Sequence, residues 1–458
     1  MKIKPVSIDE SHEIEIHSLS HQGEGVGRVD NFAVFIKGAI PGEKVLARIT
    51  EVKKNFAQGE LLKVISPSAA RIDPPCSWAD RCGGCQLQHI SYEKQLELKR
   101  NIVHDALEKI AGLNIEVLPT LGMECPWRYR NKGNFQVEKV DGKIRLGFYE
   151  PGSYNFVPGK HSLLFSETVN KVVNYLEELL SKENISVYDR KTGHGYLRNV
   201  LIRESKAQGE LMIVFVTNDS AWKLAGVADN LIKAFPQVVS VYQNINRQKK
   251  APLFGPQFKH IQGKKVIEDK IGPFIFNISP DSFFQVNNLQ TEVLYEKVAE
   301  YASLTGEETV IDAYCGIGSI AIFIAGQVKK VYGIEINETA IKDARENARL
   351  NKISNSEFMV GKAEEWLPRW VEEGNRADVV IVDPPRKGCA PETLEAIAKA
   401  KPKRVVYVSC NPATLARDLK FLAERGFVVG EVQPVDMFPQ TSHVECVVLM
   451  SRVGKLKG

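Results

Sequence analysis

From about residue 276 the chain alternates short β-branched runs with stretches of helical spacing, and this rhythm restricts its possible folds more than any other feature. The spacing predicts strands over Thr309–Tyr314, Lys330–Ile336, Glu357–Gly361, Asp378–Asp383, Arg404–Ser409, Phe427–Val432 and Val444–Met450. Helical stretches separate the first six, and none joins the last two. Such repeats fold as right-handed crossovers, so the expected architecture is α/β: a doubly wound, seven-stranded sheet with an added final strand. Sheets of this kind bind ligands at the carboxyl ends of their strands.

The predicted strand ends carry polar and reactive groups. After the first comes Asp312-Ala313-Tyr314-Cys315-Gly316-Ile317-Gly318-Ser319, where Gly316 and Gly318 let a ligand approach the backbone at the start of a helix. Glu335 closes the second strand, where a carboxylate can accept both hydroxyls of a ribose. The loop alone suits either a dinucleotide or S-adenosylmethionine. Asp312 favours the second, because a carboxylate opposes a pyrophosphate and suits a cationic amino-acid moiety. Cys315 reads as a packing residue. The fourth strand ends in Asp383-Pro384-Pro385-Arg386, a carboxylate and a cation on a rigid turn. The fifth runs from Val405 into Ser409-Cys410-Asn411-Pro412, which sets Cys410 at a strand end as either a nucleophile or a small buried residue.

The first 66 residues have another pattern. Short alternating runs, among them Phe32–Ile36, Val45–Ile49 and Leu61–Ile65, are separated by turn signals at 23–27, 41–42 and 58–59. About five short strands in about 55 residues predict a small OB-like barrel. The glycines of Ser18–Arg28, followed by Ala39-Ile40-Pro41-Gly42-Glu43, resemble the TRAM domain, an RNA-binding barrel.

Eight cysteines, no run of 18 apolar residues and no apolar signal core in Met1–Glu15 predict a cytoplasmic protein without a membrane span, its thiols free or metal-bound. Cys76-x5-Cys82-x2-Cys85, flanked by Pro74-Pro75 and holding Gly83-Gly84, has chelating spacing for zinc or an iron–sulfur cluster. Cys125, His89 and His161 are candidates for a fourth ligand. Residues 91–112 predict a helix capped by Ser91 and closed by Gly112. A net charge of +4 decides little, but its distribution is informative. Positions 125–160 carry seven Lys or Arg against three acids, interleaved with aromatics. That suits either single-stranded RNA or an antiparallel sheet with rings inside and cations outside. Asn244–Lys265 holds six cations and no acid, and its Pro252, Gly255 and Pro256 predict a phosphate-contacting loop.

Together the barrel, the cysteine set and the strand-end motifs resemble, over nearly the whole chain, the bacterial RNA 5-methyluridine (uracil-C5) methyltransferases of the 23S ribosomal RNA type. These carry a TRAM domain and a four-iron four-sulfur cluster. The resemblance implies a TRAM-like barrel over 1–66, a mixed α+β central domain with an RNA-binding surface over 67–275, and a class I methyltransferase domain over 276–458 with its last strand antiparallel. It implies S-adenosylmethionine as cofactor, contacted by Gln285 of Ser279-Pro280-Asp281-Ser282-Phe283-Phe284-Gln285 and by Tyr314, Gly316, Gly318, Ser319, Glu335 and Asp383. It makes Cys410 the nucleophile and Glu445 of His443-Val444-Glu445 the general base, with His443 as the alternative, and Cys76, Cys82 and Cys85 cluster ligands. The family's fourth cysteine falls at Ser162, a departure, since an alkoxide binds iron less well than a thiolate.

That chemistry has a minimum set. Carbon 5 of uracil is too weak a nucleophile to take a methyl group until a thiolate adds to carbon 6, and a base must then remove the proton from carbon 5. Only about 3 % of an ordinary thiol is ionised at pH 7, so the site is expected to lower the Cys410 pKa through Arg386 or Arg417. The target base must leave its stack, which points to unpaired RNA. The expected enzyme is a monomer acting on 23S ribosomal RNA. Its rivals are the same reaction on transfer RNA, a non-catalytic RNA-binding or ribosome assembly protein, and a nicotinamide-dependent oxidoreductase.

Overall fold

The computed structural model of the chain describes residues 4–249 and 253–452. Strands β1 (Ser11–Leu19), β2 (Glu24–Val29), β3 (Phe32–Lys37), β4 (Lys44–Val52) and β5 (Phe56–Ser66) close into a barrel in the order β1-β2-β3-β5-β4. Alternation sends Ile14, Ile16, Val34, Ile36, Val45 and Ile49 into one core. Two expected turns are strands instead. Gly25 and Gly27 lie within β2, where a side chain would meet the Ala39 carbonyl oxygen at 2.6 Å or Ile14 Cγ2 at 2.3 Å, and Gly59 lies within β5.

Helix α1 (Tyr92–Ala106) runs on through a π-helical turn, Leu107–Ala111, to Gly112 at φ +68°. Ser91 precedes it but makes no side-chain capping bond. Then follow β6 (Lys132–Val140), β7 (Lys143–Tyr149), β8 (Phe156–Pro158), α2 (Glu167–Lys182), β9 (Leu197–Glu204), β10 (Leu211–Thr217), α3 (Ala225–Ala234), β11 (Val238–Ile245) and β12 (Gln257–Gly263). The strands form one sheet in the order β12-β11-β10-β9-β6-β7-β8, against which α2 and α3 pack. The expected basic loop is therefore partly strand: β12 pairs antiparallel with β11, because Gly255 and Pro256 end before it begins. The aromatics of 125–160 divide between the two readings, with Phe135 and Tyr129 buried and Tyr154 exposed.

A hairpin of β13 (Ile267–Ile271) and β14 (Phe274–Ile278) leads to α4 (Asn288–Ala302), capped by Asn287. The expected boundary at residue 276 falls inside β14, whose Ile275 and Asn277 amides donate to the Asn351 and Asn347 side chains. The last sheet comprises β15 (Thr309–Ala313), β16 (Lys330–Glu335), β17 (Ser356–Val360), β18 (Val379–Val382), β19 (Arg404–Ser409), β20 (Phe427–Val435) and β21 (Glu445–Arg452). Helices α5 (Ser319–Ile324), α6 (Glu338–Leu350), α7 (Ala363–Glu372), α8 (Pro391–Ala400) and α9 (Pro412–Ala423) connect the first six strands, and none joins β20 to β21.

The order is β17-β16-β15-β18-β19-β21-β20, with β15 to β19 parallel and β21 antiparallel to both neighbours. This is the doubly wound, seven-stranded class I methyltransferase architecture. Order reverses between β15 and β18, which makes that edge the ligand crevice. The loop from β20 to β21 is pinned from several sides. Lys99 Nζ donates to Asp436 Oδ1 at 2.5 Å and to the Phe438 carbonyl at 3.1 Å. The Tyr129 hydroxyl donates to the Pro439 carbonyl, the Gln86 and Leu87 amides to that of Gln440, and the Ser442 hydroxyl to His21 of the barrel, each at 3.0 Å. Phe438, His443 and Glu445 are thereby held at the crevice.

Candidate active site

The turn after β15 is built on left-handed backbone: φ is +70° at Tyr314, +54° at Gly316 and +81° at Gly318. This exposes the Gly316 amide, which donates to Glu335 Oε2 at 3.3 Å, while Oε1 accepts from the Asn337 amide at 2.9 Å. The Glu335 carboxylate is so fixed at the end of β16. The Ser319 and Tyr295 hydroxyls lie 2.7 Å apart. Gln285, Tyr314, Gly316, Ser319, Glu335 and Asp383 all line a cavity of about 620 Å³, within the range of small-ligand sites. Gly318 does not line it; a Cβ there would stand 2.8 Å from the Phe358 ring, so its part is to shape the turn. Nor does Asp312. It is fully buried, one oxygen accepting from the Ala321 amide at 3.1 Å and the other unpartnered, and burial with the charge of Asp383 raises its pKa well above the usual range. Ile336, Phe438 and Tyr295 also line the cavity and were not singled out from the sequence. Ile336, 62 % exposed directly after Glu335, offered the one signal: an apolar residue at a polar strand end.

Cys410 and Glu445 line the same cavity. Ser409 pairs with Cys446 at the end of the ladder between β19 and β21, so Cys410, the residue after one, and Glu445, the residue before the other, come to the same rim of the sheet, where the Glu445 charge acts on the thiol. Asn411 caps α9 through Oδ1, while its Nδ2 donates to the Arg386 carbonyl at 3.0 Å, which locks the Pro-Pro turn to the cysteine turn. Arg417 is engaged elsewhere, with Asp418 at 2.7 Å and the Lys387 carbonyl at 3.0 Å. Arg386 is the arginine that faces the thiol.

The electrostatics run opposite to the sequence expectation for the thiol. Burial, then Glu445 and Asp383, push Cys410 up to about 12, with Arg386 opposing them. Glu445 is 5 % exposed, and burial together with the nearby Asp383 carboxylate raises its pKa well above the ordinary value. Burial lifts Asp383 to about 6. Burial and crowded like charge therefore favour the neutral forms of the thiol and of these carboxyls.

The three clustered cysteines border a second cavity, of about 570 Å³, together with His161 and Ser162. Cys125 is exposed and lies outside it, as does His89. Among the described residues the three thiols do not all lie within 4.8 Å of one another, whereas zinc–sulfur bonds of about 2.3 Å demand a tighter group. Arg386, Phe438 and His443 line both cavities.

Comparison with known proteins agrees with this geometry. Residues 91–453 match the family model described as tRNA (Uracil-5-)-methyltransferase, and residues 10–62 match the TRAM domain. The chain is 47 % identical to a protein of Clostridium tetani named as an uncharacterized RNA methyltransferase, over 99 % of both chains. It is 48 % identical to one of Listeria innocua, covering 97 % of this chain and 98 % of that protein. Among solved structures it is similar to the tRNA (uracil-54, C5)-methyltransferase of Pyrococcus abyssi in complex with S-adenosyl-L-homocysteine, with a TM-score of 0.76 and 30 % identity over 96 % of this chain and 100 % of that one.

Proposed function

Because the chain belongs to the tRNA (uracil-5-)-methyltransferase family and carries a TRAM domain, we propose that it methylates carbon 5 of a specific uridine in 23S ribosomal RNA, with Cys410 as nucleophile and Glu445 as base. The observation that carries the reading is that the end of the β19–β21 ladder brings a thiol and a high-pKa carboxyl into the cavity that the glycine turn and Glu335 also line.

S-adenosylmethionine, when bound, supplies the methyl group on a cationic sulfonium. Gln285, Tyr314, Gly316, Ser319, Glu335 and Asp383 would hold it, Glu335 at the ribose hydroxyls, and Gly318 contributes through the shape of the turn. The Cys410 thiolate adds to carbon 6 of the uracil, and the electron pair released to carbon 5 takes up the methyl group as the sulfur–methyl bond breaks, its electrons returning to sulfur so that a neutral thioether departs. Glu445 then accepts the carbon-5 proton, the sulfur–carbon bond breaks, and the thiolate is regenerated. A raised pKa makes Glu445 a stronger base than an ordinary carboxylate. Arg386 stabilises the thiolate before attack and after release.

Cys76, Cys82 and Cys85, with Ser162 or His161, would hold an iron–sulfur cluster at the second cavity, which all of them line, thiolates being the ligands such a centre takes. The cluster takes no part in the steps above. We read the enzyme as a cytoplasmic monomer; among the described residues no helix is long and apolar enough to cross a membrane. The first domain spans 1–66, and the bonds from β14 to α6 favour ending the central domain before Ile267 instead of at 275.

The second reading is transfer RNA, favoured by the likeness to the whole chain of the Pyrococcus abyssi tRNA enzyme. One experiment tests the reaction and separates the substrates: incubation with labelled S-adenosylmethionine and size-fractionated cellular RNA, normal or containing 5-fluorouridine. Fluorine cannot leave carbon 5 as a proton, so the fluorinated substrate is expected to trap a covalent, methylated protein–RNA complex that Cys410→Ala abolishes. Label confined to large-subunit RNA supports the first substrate, and label confined to tRNA the second.

A further inference from the structure

The central sheet carries a further groove of about 1520 Å³, bordered by Lys139, Arg190, Lys191, Arg198 and Lys249 against Glu138 and Asp189. Its arginines are seated on rings. The Arg190 guanidinium lies 5.4 Å from the Tyr149 ring centre and 5.6 Å from that of Tyr154, and donates to Gln136 Oε1 at 2.7 Å. Arg198 lies 4.1 Å over the Tyr188 ring and donates to the Asn246 carbonyl at 2.7 Å. Tyr154 is 76 % exposed, which leaves ring surface open to a planar ligand. Asn134 Oδ1, also at this groove, is buried with no hydrogen-bond partner, an acceptor waiting for a donor.

Rings and guanidinium planes fixed in advance are stacking platforms for unstacked bases, and cations along a groove follow a phosphate backbone. The groove is also continuous with the chemistry. Asn134, Gln136 and Tyr149 line both it and the cysteine-bordered cavity, which shares Arg386, Phe438 and His443 with the catalytic cavity.

We propose that this groove holds the unpaired RNA flanking the target uridine, its bases stacked on the Tyr149–Arg190–Tyr154 and Arg198–Tyr188 platforms. The assignment rests on the reading of the chain as an RNA uracil methyltransferase.

Its test is anisotropy titration of full-length Cys410→Ala with a fluorescein-labelled polyuridine of about 15 nucleotides, a length matched to single-strand sites. Tyr154→Ala in that background is expected to weaken binding about fivefold or more with an unchanged salt slope, and Tyr154→Phe to bind like the parent. Arg190→Ala is expected to weaken binding and lower the salt slope by about one. Parent-like affinity in folded Tyr154→Ala and Arg190→Ala proteins overturns the proposal, as does an equal loss for an RNA duplex. Wild-type methyl transfer to cellular RNA is measured separately. Its absence, with binding losses intact, sinks the enzyme reading and leaves the groove; its presence, with unaffected variants, removes the groove alone.

Discussion

The Arg386 guanidinium stands 3.3 Å from His443 Nε2 and also faces the Cys410 thiol. A guanidinium only donates, so His443 accepts at Nε2 and stays neutral, in keeping with burial and the Arg386 charge pushing its pKa down to about 4. One cation thus occupies the imidazole lone pair and opposes the two carboxyls that raise the thiol pKa.

Arg386→Met removes that opposition. The Cys410 pKa is expected to rise further, and each unit costs tenfold in thiolate at neutral pH. Alkylation of Cys410 by iodoacetamide, read by peptide mass spectrometry, should slow about tenfold at pH 8, with methyl transfer falling at least as far and recovering as pH rises. An unchanged alkylation profile would show that Arg386 does not tune the thiol.

With the His443 lone pair engaged by Arg386, the proposed base is Glu445 and not His443. Glu445→Gln should still form the carbon-6 adduct but fail to resolve it, so a covalent complex is expected to accumulate on ordinary RNA and to appear as a shifted band on a denaturing gel. His443→Gln, by contrast, is expected to keep turnover within about tenfold, because general base catalysis is worth more than that. Normal turnover in Glu445→Gln would move the base elsewhere.

Strands β18 and β19 were legible because parallel strands buried on both faces read as unbroken apolar runs, such as Val405 to Val408. Cys410 and Asp383 were legible for the same reason: each follows such a run at a turn marked by proline. What stayed hidden depended on partners distant in sequence. Gly25 and Gly27 look like turn residues until Ile14 and Ala39 are seen pressing on them. The high pKa of Cys410 arises from burial and then from Glu445 and Asp383, the first of these carboxyls carried by the strand inserted between β19 and β20 and the second by the end of β18. The Arg190 platform joins residues from 136 to 190, which no local window contains.

Asp383 offers a test through pH and stability. Its folded pKa of about 6 exceeds the unfolded value of about 3.8, so the folded protein holds this proton more tightly. The stability this contributes is full below the unfolded pKa and is lost as pH rises through 6. Asp383→Asn cannot ionise, so its melting temperature should exceed wild type by a few degrees at pH 8 and approach it at pH 4, while methyl transfer falls. A constant difference across that range would show that the buried charge is not the cause.

Lys99 and Asp436 form a buried ion pair that holds the loop bearing Phe438 and His443. Lys99→Met leaves the Asp436 carboxylate buried with the Tyr92 hydroxyl but no countercharge, which costs about 3–5 kcal/mol, whereas Lys99→Met with Asp436→Leu should recover much of that. Urea unfolding measures both. The double variant should regain stability but not activity, since the Phe438 carbonyl also loses the Lys99 donor. Full activity in a stable double variant would reduce the pair to a packing feature.

Ser162 tests the second cavity. It lines the wall shared with Cys76, Cys82 and Cys85, and its own oxygen is the weak member of the set, because iron in a sulfide centre prefers soft thiolate to hard alkoxide. Protein purified without oxygen is expected to contain iron and acid-labile sulfide and to lose both in air or under a chelator. Ser162→Cys should slow that loss about tenfold, the size of effect that a single improved ligand interaction produces at metal sites. Cys85→Ser should carry little iron at all, since a second hard ligand leaves only two thiolates. Methyl transfer should change little in Ser162→Cys, because the steps proposed for Cys410 and Glu445 do not pass through the second cavity. If wild type and Ser162→Cys are both colourless, iron-free and active, the three thiols are packing groups and the cavity holds no inorganic centre.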